Sequence, residues 1–150
     1  MQVFRIALAK YATGLNASGR AARWNPNDIE VIYTAGSRSL ACLENVVHRN
    51  QAGLNHLFKV MTIVIPDDIC ILTIEQKNLP VNWSEFNQMP ITQKLGEDWI
   101  KEKKSAILKV PSSIINAEFN YLVNPLHHDF KSIKLLKSET FVFDKRIKMS

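Results

Sequence analysis

Arg23, Tyr33 and Glu44 lie close together in this chain, each in a setting where a polar or charged side chain is costly without a partner. Arg23 ends the run "GRAAR" and is followed at once by Trp24, so its guanidinium stands beside a large apolar ring. A planar fork of five donors that keeps its charge when desolvated suits a pyrophosphate or a carboxylate. An internal partner, Glu44 or Asp28, would satisfy the same fork. Glu44 sits in the segment "LACLENVVH". On a helical wheel at about 100° per residue it falls roughly 40° from Leu40, with Leu43 and Val47 on the other side. A carboxylate inside an apolar stripe must be paired, protonated or lining a cavity; at the stripe's edge it simply reaches water. Tyr33 alternates with Val31 and Ala35, which makes it a core residue or a face for a planar ring, its hydroxyl needing a polar partner.

Other residues offer weaker chemistry. In "VPSS" the proline ends a strand and leaves Ser112 and Ser113 at its terminus, where serines cap turns or donate to a ligand; without GxSxG they do not read as hydrolase nucleophiles. His127, His128 and Asp129 are consecutive. Consecutive residues rarely converge on one ion and HExxH is absent, so no metal site is expected. Cys42 and Cys70 lie in apolar runs without CxxC spacing, the pattern of two buried free thiols in a reducing compartment. The glycines form neither GxGxxG nor a phosphate loop, which argues against Rossmann and P-loop sites.

The elements that must position these residues alternate irregularly. Residues 3–8 and 31–35 read as strands flanking an irregular segment, and Ser37 caps a helix running to about residue 49. Residues 60–65 and 69–74 read as strands around a "PDD" turn. Residues 92–103 read as a helix burying Leu95, Trp99 and Ile100. Further strands are expected at 107–110, 120–123, 133–136 and 140–143. Strands outnumber helices without a βαβ rhythm, so the fold class is α+β.

At 150 residues, with 46% hydrophobic and 22% charged, the chain is expected to form one domain, 1–150, with one sizeable core. The longest apolar run, "VMTIVIP", is far too short to span a bilayer, and the start lacks the features of a secretory signal. A cytoplasmic protein is expected. A net charge of +5 suits nucleic acid, an anionic small molecule or an acidic partner. The lysines of "KEKK" (101–104) and "KSIKLLKS" (131–138) read as solvated faces, and no aromatic–basic interleaving supports direct nucleic-acid binding.

Taken in order, "VFRI", "ARWN", "VIYTA", "LACLENVVH", "VPSSII", "FNYLVNP" and "FVFDKRI" resemble the RES domain, a family named for an arginine, a glutamate and a serine. The resemblance runs over residues 3–147. It maps the family's arginine onto Arg23, its glutamate onto Glu44, its serine onto Ser112 and its strand tyrosine onto Tyr33. Arg5 and Asn124 correspond to a first-strand arginine and to the asparagine of an "NP" turn, both as ligand-binding residues. Ala21 and Ala22 replace a glycine pair usual in the family.

What the resemblance implies is specific. The fold is a mixed β-sheet with flanking helices, similar to the ADP-ribosyltransferases. The activity is that of a toxin in a toxin–antitoxin pair that cleaves NAD⁺ by hydrolysis or phosphorolysis, or ADP-ribosylates a protein. NAD⁺ enters as substrate, with no true cofactor and no metal. The partner is an Xre-like antitoxin, through which any nucleic-acid contact is indirect, and self-association into a homodimer is a further expectation.

Overall fold

In the computed structural model, residues 1–49 and 57–147 are described. Among them are seven strands: β1 Gln2–Leu8, β2 Ile32–Ala35, β3 Phe58–Val64, β4 Ile71–Thr73, β5 Ile107–Pro111, β6 Phe119–Val123 and β7 Lys134–Phe141. Two α-helices accompany them, α1 Arg38–His48 and α2 Met89–Glu102. The strands form one mixed sheet in the order β4-β5-β6-β2-β1-β3-β7, parallel only between β4 and β5. This is the α+β class expected. No described helix is long and apolar enough to cross a membrane.

The sheet has a seam. β1 pairs β3 along its whole length, from Gln2↔Val64 to Leu8↔Phe58, and β2 pairs β6 throughout. β1 and β2, although adjacent, share the single register pair Phe4↔Ala35. Two half-sheets, β7-β3-β1 and β2-β6-β5-β4, are thus joined at one point and part beyond it.

Burial follows the pleat. One face carries Val3, Ile32, Met61, Ile63, Ile107 and Val123 in a continuous apolar cluster. The opposite face carries both helices. α1 covers Phe4, Ile6, Phe58 and Val60 with Leu40 and Ala41, while Trp99 and Ile100 of α2 cover Leu108, Val110 and Leu122 together with Trp24 and Trp83. α1 thus covers β1 and β3 and reaches Ala35 of β2, α2 covers β5 and β6, and a cleft opens between the two helices.

The structure corrects several expectations. Leu43 and Val47 are 36% and 58% exposed, because α1 buries a narrower face centred on Leu40 and Ala41. Leu95 is also at the surface; α2 starts three residues earlier than expected and buries Thr92, Gly96, Trp99 and Ile100 instead. The two strands expected at 133–136 and 140–143 are replaced by one strand, β7 Lys134–Phe141, whose outer edge is unpaired among the described residues. Cys70 is exposed and Cys42 half-buried, both as free thiols; partial burial pushes the Cys42 thiol above its ordinary value.

Candidate active site

A cleft of about 540 Å³ opens over the seam. Arg5, Ile6, Tyr33 and Thr34 line it where β1 and β2 part, α1 contributes Ala41, Glu44, Asn45 and His48, and the far wall comes from residues 21–24 with Phe86 and Met89. Arg23 and Glu44, both picked out in sequence as charges among apolar residues, thus line one cavity.

The Arg23 wall is built from backbone held by buried side chains. Gly19 and Asp28 adopt left-handed φ of 74° and 71°, a region open to glycine and tolerated by aspartate, and Asp28 N–H closes the loop onto Gly19 O at 2.8 Å. Asn25, 1% exposed, fills the loop: its amide donates to Arg20 O and Ile29 O at 2.9 Å each and to Pro26 O at 3.1 Å. The Asn25 Oδ1 accepts the Tyr33 hydroxyl, which in turn accepts Trp24 N–H at 3.0 Å.

α2 grips the same turn from outside. Thr92 Oγ1 donates to Arg23 O, and Gln93 Nε2 donates to Ala22 O at 2.9 Å. Gly96 presents no side chain where Trp24 O passes: a Cβ there would lie 1.7 Å from that oxygen. With its backbone fixed, Arg23 extends along Trp83, donating to Trp83 O at 3.5 Å and lying 5.9 Å over the Trp83 ring. Burial lowers the Arg23 pKa from its usual value, and the nearby Glu44 and Tyr33 oppose that shift. Ala21 and Ala22 line the cleft and adopt no positive φ, so glycine's conformational freedom is not needed at either position.

Glu44 is set by the start of its helix. Ser37 caps α1: its Oγ accepts Leu40 N–H and donates to Glu118 Oε1, both at 3.1 Å. Asn45 then docks the helix on β1 by donating to Ile6 O at 3.1 Å. Ala41, Glu44, Asn45 and His48 are thereby turned toward the cleft, the i, i+3, i+4, i+7 face. The Glu44 side chain is 26% exposed, with His48 Nε2 3.5 Å from its Oε2. Among the described residues, neither Arg5 nor Arg23 is ion-paired with it.

Tyr33 keeps its hydroxyl inside the Asn25 network and leaves its ring to the cleft. Burial raises its pKa above the ordinary phenol value, so the group stays a donor. Arg5 donates to Asn16 O at 2.7 Å, and burial without a carboxylate partner lowers its pKa.

Two predicted site residues do not reach the cleft. Ser112 is fully buried, its Oγ accepting Ile114 N–H and Ile115 N–H at 3.0 Å each; the serine at the strand end caps a turn, and it is Ser113 that faces the cavity. Asn124, also fully buried, donates to Ile100 O at 3.2 Å and accepts Leu126 N–H at 2.9 Å, tying the end of β6 to α2. Sequence reasoning missed Asn25, Gly96, Asn120 and Phe86, and named Ser113 only as the neighbour of Ser112. Gly96 alone carried a signal: a glycine within a helix costs about 1 kcal/mol relative to alanine, which hints at a close backbone approach.

The ligand atoms of His127, His128 and Asp129 lie within 4.8 Å of one another. His127 Nδ1 accepts Asp129 N–H at 3.0 Å, which occupies the lone pair that a metal would need at that nitrogen. His127 thereby caps the turn His128–Ser132.

Comparison with known proteins follows the same outline. A family model described as the RES domain matches residues 2–144. The chain is 36% identical over 137 residues to the Prs ADP-ribosylating toxin of Sphingobium sp., covering 90% of this chain and 85% of that protein. It is 32% identical over 153 residues to Toxin Res of Yersinia enterocolitica, covering 99% and 100%. In three dimensions it resembles a chain of the M. tuberculosis MbcT-MbcA toxin-antitoxin complex, with a TM-score of 0.75 at 19% identity over 94% of this chain and 84% of that one.

Proposed function

The chain belongs to the RES domain family, and from that premise we propose that it is the toxin of a toxin–antitoxin pair, acting by cleavage of the nicotinamide–ribose bond of NAD⁺. The observation that carries this reading is the shared cleft: a guanidinium and a carboxylate from different elements line one cavity without forming an ion pair. Two arginines and one glutamate leave the cavity positive, as a dinucleotide's phosphates require.

The chemistry asks little of the protein. The glycosidic C–N bond breaks with its electron pair going to the nicotinamide nitrogen, which is already cationic and leaves as a neutral amide without a general acid. Positive charge develops on the ribose in an oxocarbenium-like state. Glu44 stabilises that charge and accepts hydrogen bonds from the ribose hydroxyls. Arg23 clamps the pyrophosphate, with Arg5 as a second cation, and the Tyr33 ring packs against nicotinamide. Ser113, rather than the buried Ser112, is the serine available to orient the sugar. Water or phosphate then attacks C1′ of the ribose. The name of the Sphingobium relative supports a second outcome, transfer of ADP-ribose to a protein side chain. The antitoxin of the M. tuberculosis complex supports a protein partner for this chain as well.

The test is release of free nicotinamide from NAD⁺ by the purified chain, with product analysis in the presence and absence of phosphate. Glu44→Ala and Arg23→Ala are expected to lose at least about a hundredfold in rate while melting as cooperatively as the wild type. A fully active Glu44→Ala would refute the assignment.

A further inference from the structure

Phe86 is 84% exposed, yet it lines the cleft. It begins the 3-10 turn Phe86–Gln88 that leads into α2. That segment is braced: Gln88 N–H donates to Glu85 O, Glu85 N–H to Asn82 O and Trp83 N–H to Pro80 O, each at 3.0 Å. Trp83 is 3% exposed and is the ring over which the Arg23 guanidinium lies. One anchored stretch of chain therefore supports the arginine and, three residues on, holds a phenyl ring in water at the cavity's rim. An aromatic ring beside an anion-binding guanidinium is the setting in which a nucleobase stacks.

The order of groups along the substrate selects the base. The scissile bond must lie near Glu44, between α1 and the seam, in a part of the cavity also lined by Tyr33, Phe4 and Ala35. The pyrophosphate reaches Arg23 on the wall formed by residues 21–24. The remaining half of the molecule then runs outward along that wall, past Arg23 toward Phe86 and Met89. Resting on the NAD⁺ reaction proposed above, we propose that Phe86 is the platform on which the adenine ring stacks, and that it sets the preference for a dinucleotide over a mononucleotide.

The test compares NAD⁺ with nicotinamide mononucleotide, which has the scissile bond but no adenosine, as substrates for the full-length wild type, Phe86→Ala and Phe86→Trp. The wild type is expected to prefer NAD⁺. Phe86→Ala is expected to raise the KM for NAD⁺ by about tenfold, with kcat, melting temperature and mononucleotide cleavage unchanged, and Phe86→Trp to restore the KM. An exposed ring has no packing to lose, so a merely structural role predicts none of this split. An unchanged KM for NAD⁺ in Phe86→Ala, an equal rise for both substrates, or a wild type indifferent to loss of the adenosine overturns the platform and leaves NAD⁺ cleavage standing. A wild type that releases no nicotinamide from NAD⁺ overturns the reaction itself, and the platform with it.

Discussion

Replacing Gly96 by alanine tests whether the contact between α2 and the Arg23 turn positions the site. The new methyl would lie 1.7 Å from Trp24 O, 2.8 Å from Trp24 C and 3.3 Å from Trp24 Cβ, where ordinary contact begins at 3.4 Å. Either the helix or the turn must retreat by roughly 1.5 Å, because both meet as packed backbone with no flexible side chain to give way. Overpacking of this kind costs about 1–3 kcal/mol, occasionally more, against a gain of about 1 kcal/mol from helix propensity. The expected fall in melting temperature is therefore several degrees, at about 2–4 °C per kcal/mol for a chain of this size. The effect on catalysis should be larger than the effect on folding. Arg23 immediately precedes the displaced carbonyl, and a misplacement of about 1 Å can cost a hundredfold in rate. Melting curves and nicotinamide release would be measured together, with Gly14→Ala as the control, since a Cβ there meets only Asn16 Nδ2 at 3.6 Å. A Gly96→Ala protein with wild-type melting and wild-type rate would show that the helix does not hold the turn.

Three further outcomes are expected. Asn25→Ala removes the amide that fills the loop, leaving three partly buried carbonyls without its N–H groups and the Tyr33 hydroxyl without its acceptor; a loss of about 3 kcal/mol should appear in urea denaturation, and a loss below about 0.5 kcal/mol would show the network to be dispensable. Tyr33 has a folded-state pKa above its unfolded value, so its contribution is fully present below about pH 10 and is lost as pH rises further, when only the unfolded state ionises; the stability gap between wild type and Tyr33→Phe should narrow above that pH, and a constant gap would refute the shift. Ser112→Ala should lower stability by about 1–2 kcal/mol through the two N–H groups it strands, whereas Ser113→Ala should lower nicotinamide release at unchanged stability; the reverse pattern would return the catalytic role to Ser112.

Arg23 and Glu44 were legible in sequence because a charge set among apolar residues is a local anomaly, visible without knowing what it faces. The wheel of α1 was only half legible. Leu40 is buried as expected, but Leu43 and Val47 are not, since a helix that borders a cleft packs only part of its circumference. Ser112 and Ser113 could not be told apart in sequence because a serine after a strand-ending proline serves a cap or a ligand equally well, and the fold buries the first and turns the second to the cavity. β7 was read as two strands because Lys137 and Ser138 interrupt its apolar run; an edge strand keeps polar residues where an inner one cannot. Gly96 and Asn25 act through contacts with distant segments, which no local pattern records.

The seam has a consequence for synthesis. Neither half-sheet is a continuous stretch of chain: β7-β3-β1 joins the first, third and last strands, and β2-β6-β5-β4 joins the second with the fourth to sixth. A nascent polypeptide that has emerged only as far as residue 133 lacks the strand that completes the Arg5 side, and one that stops short of residue 89 lacks the helix that clamps the Arg23 turn. The cleft is therefore framed on both sides only after β7, Lys134–Phe141, has left the ribosome.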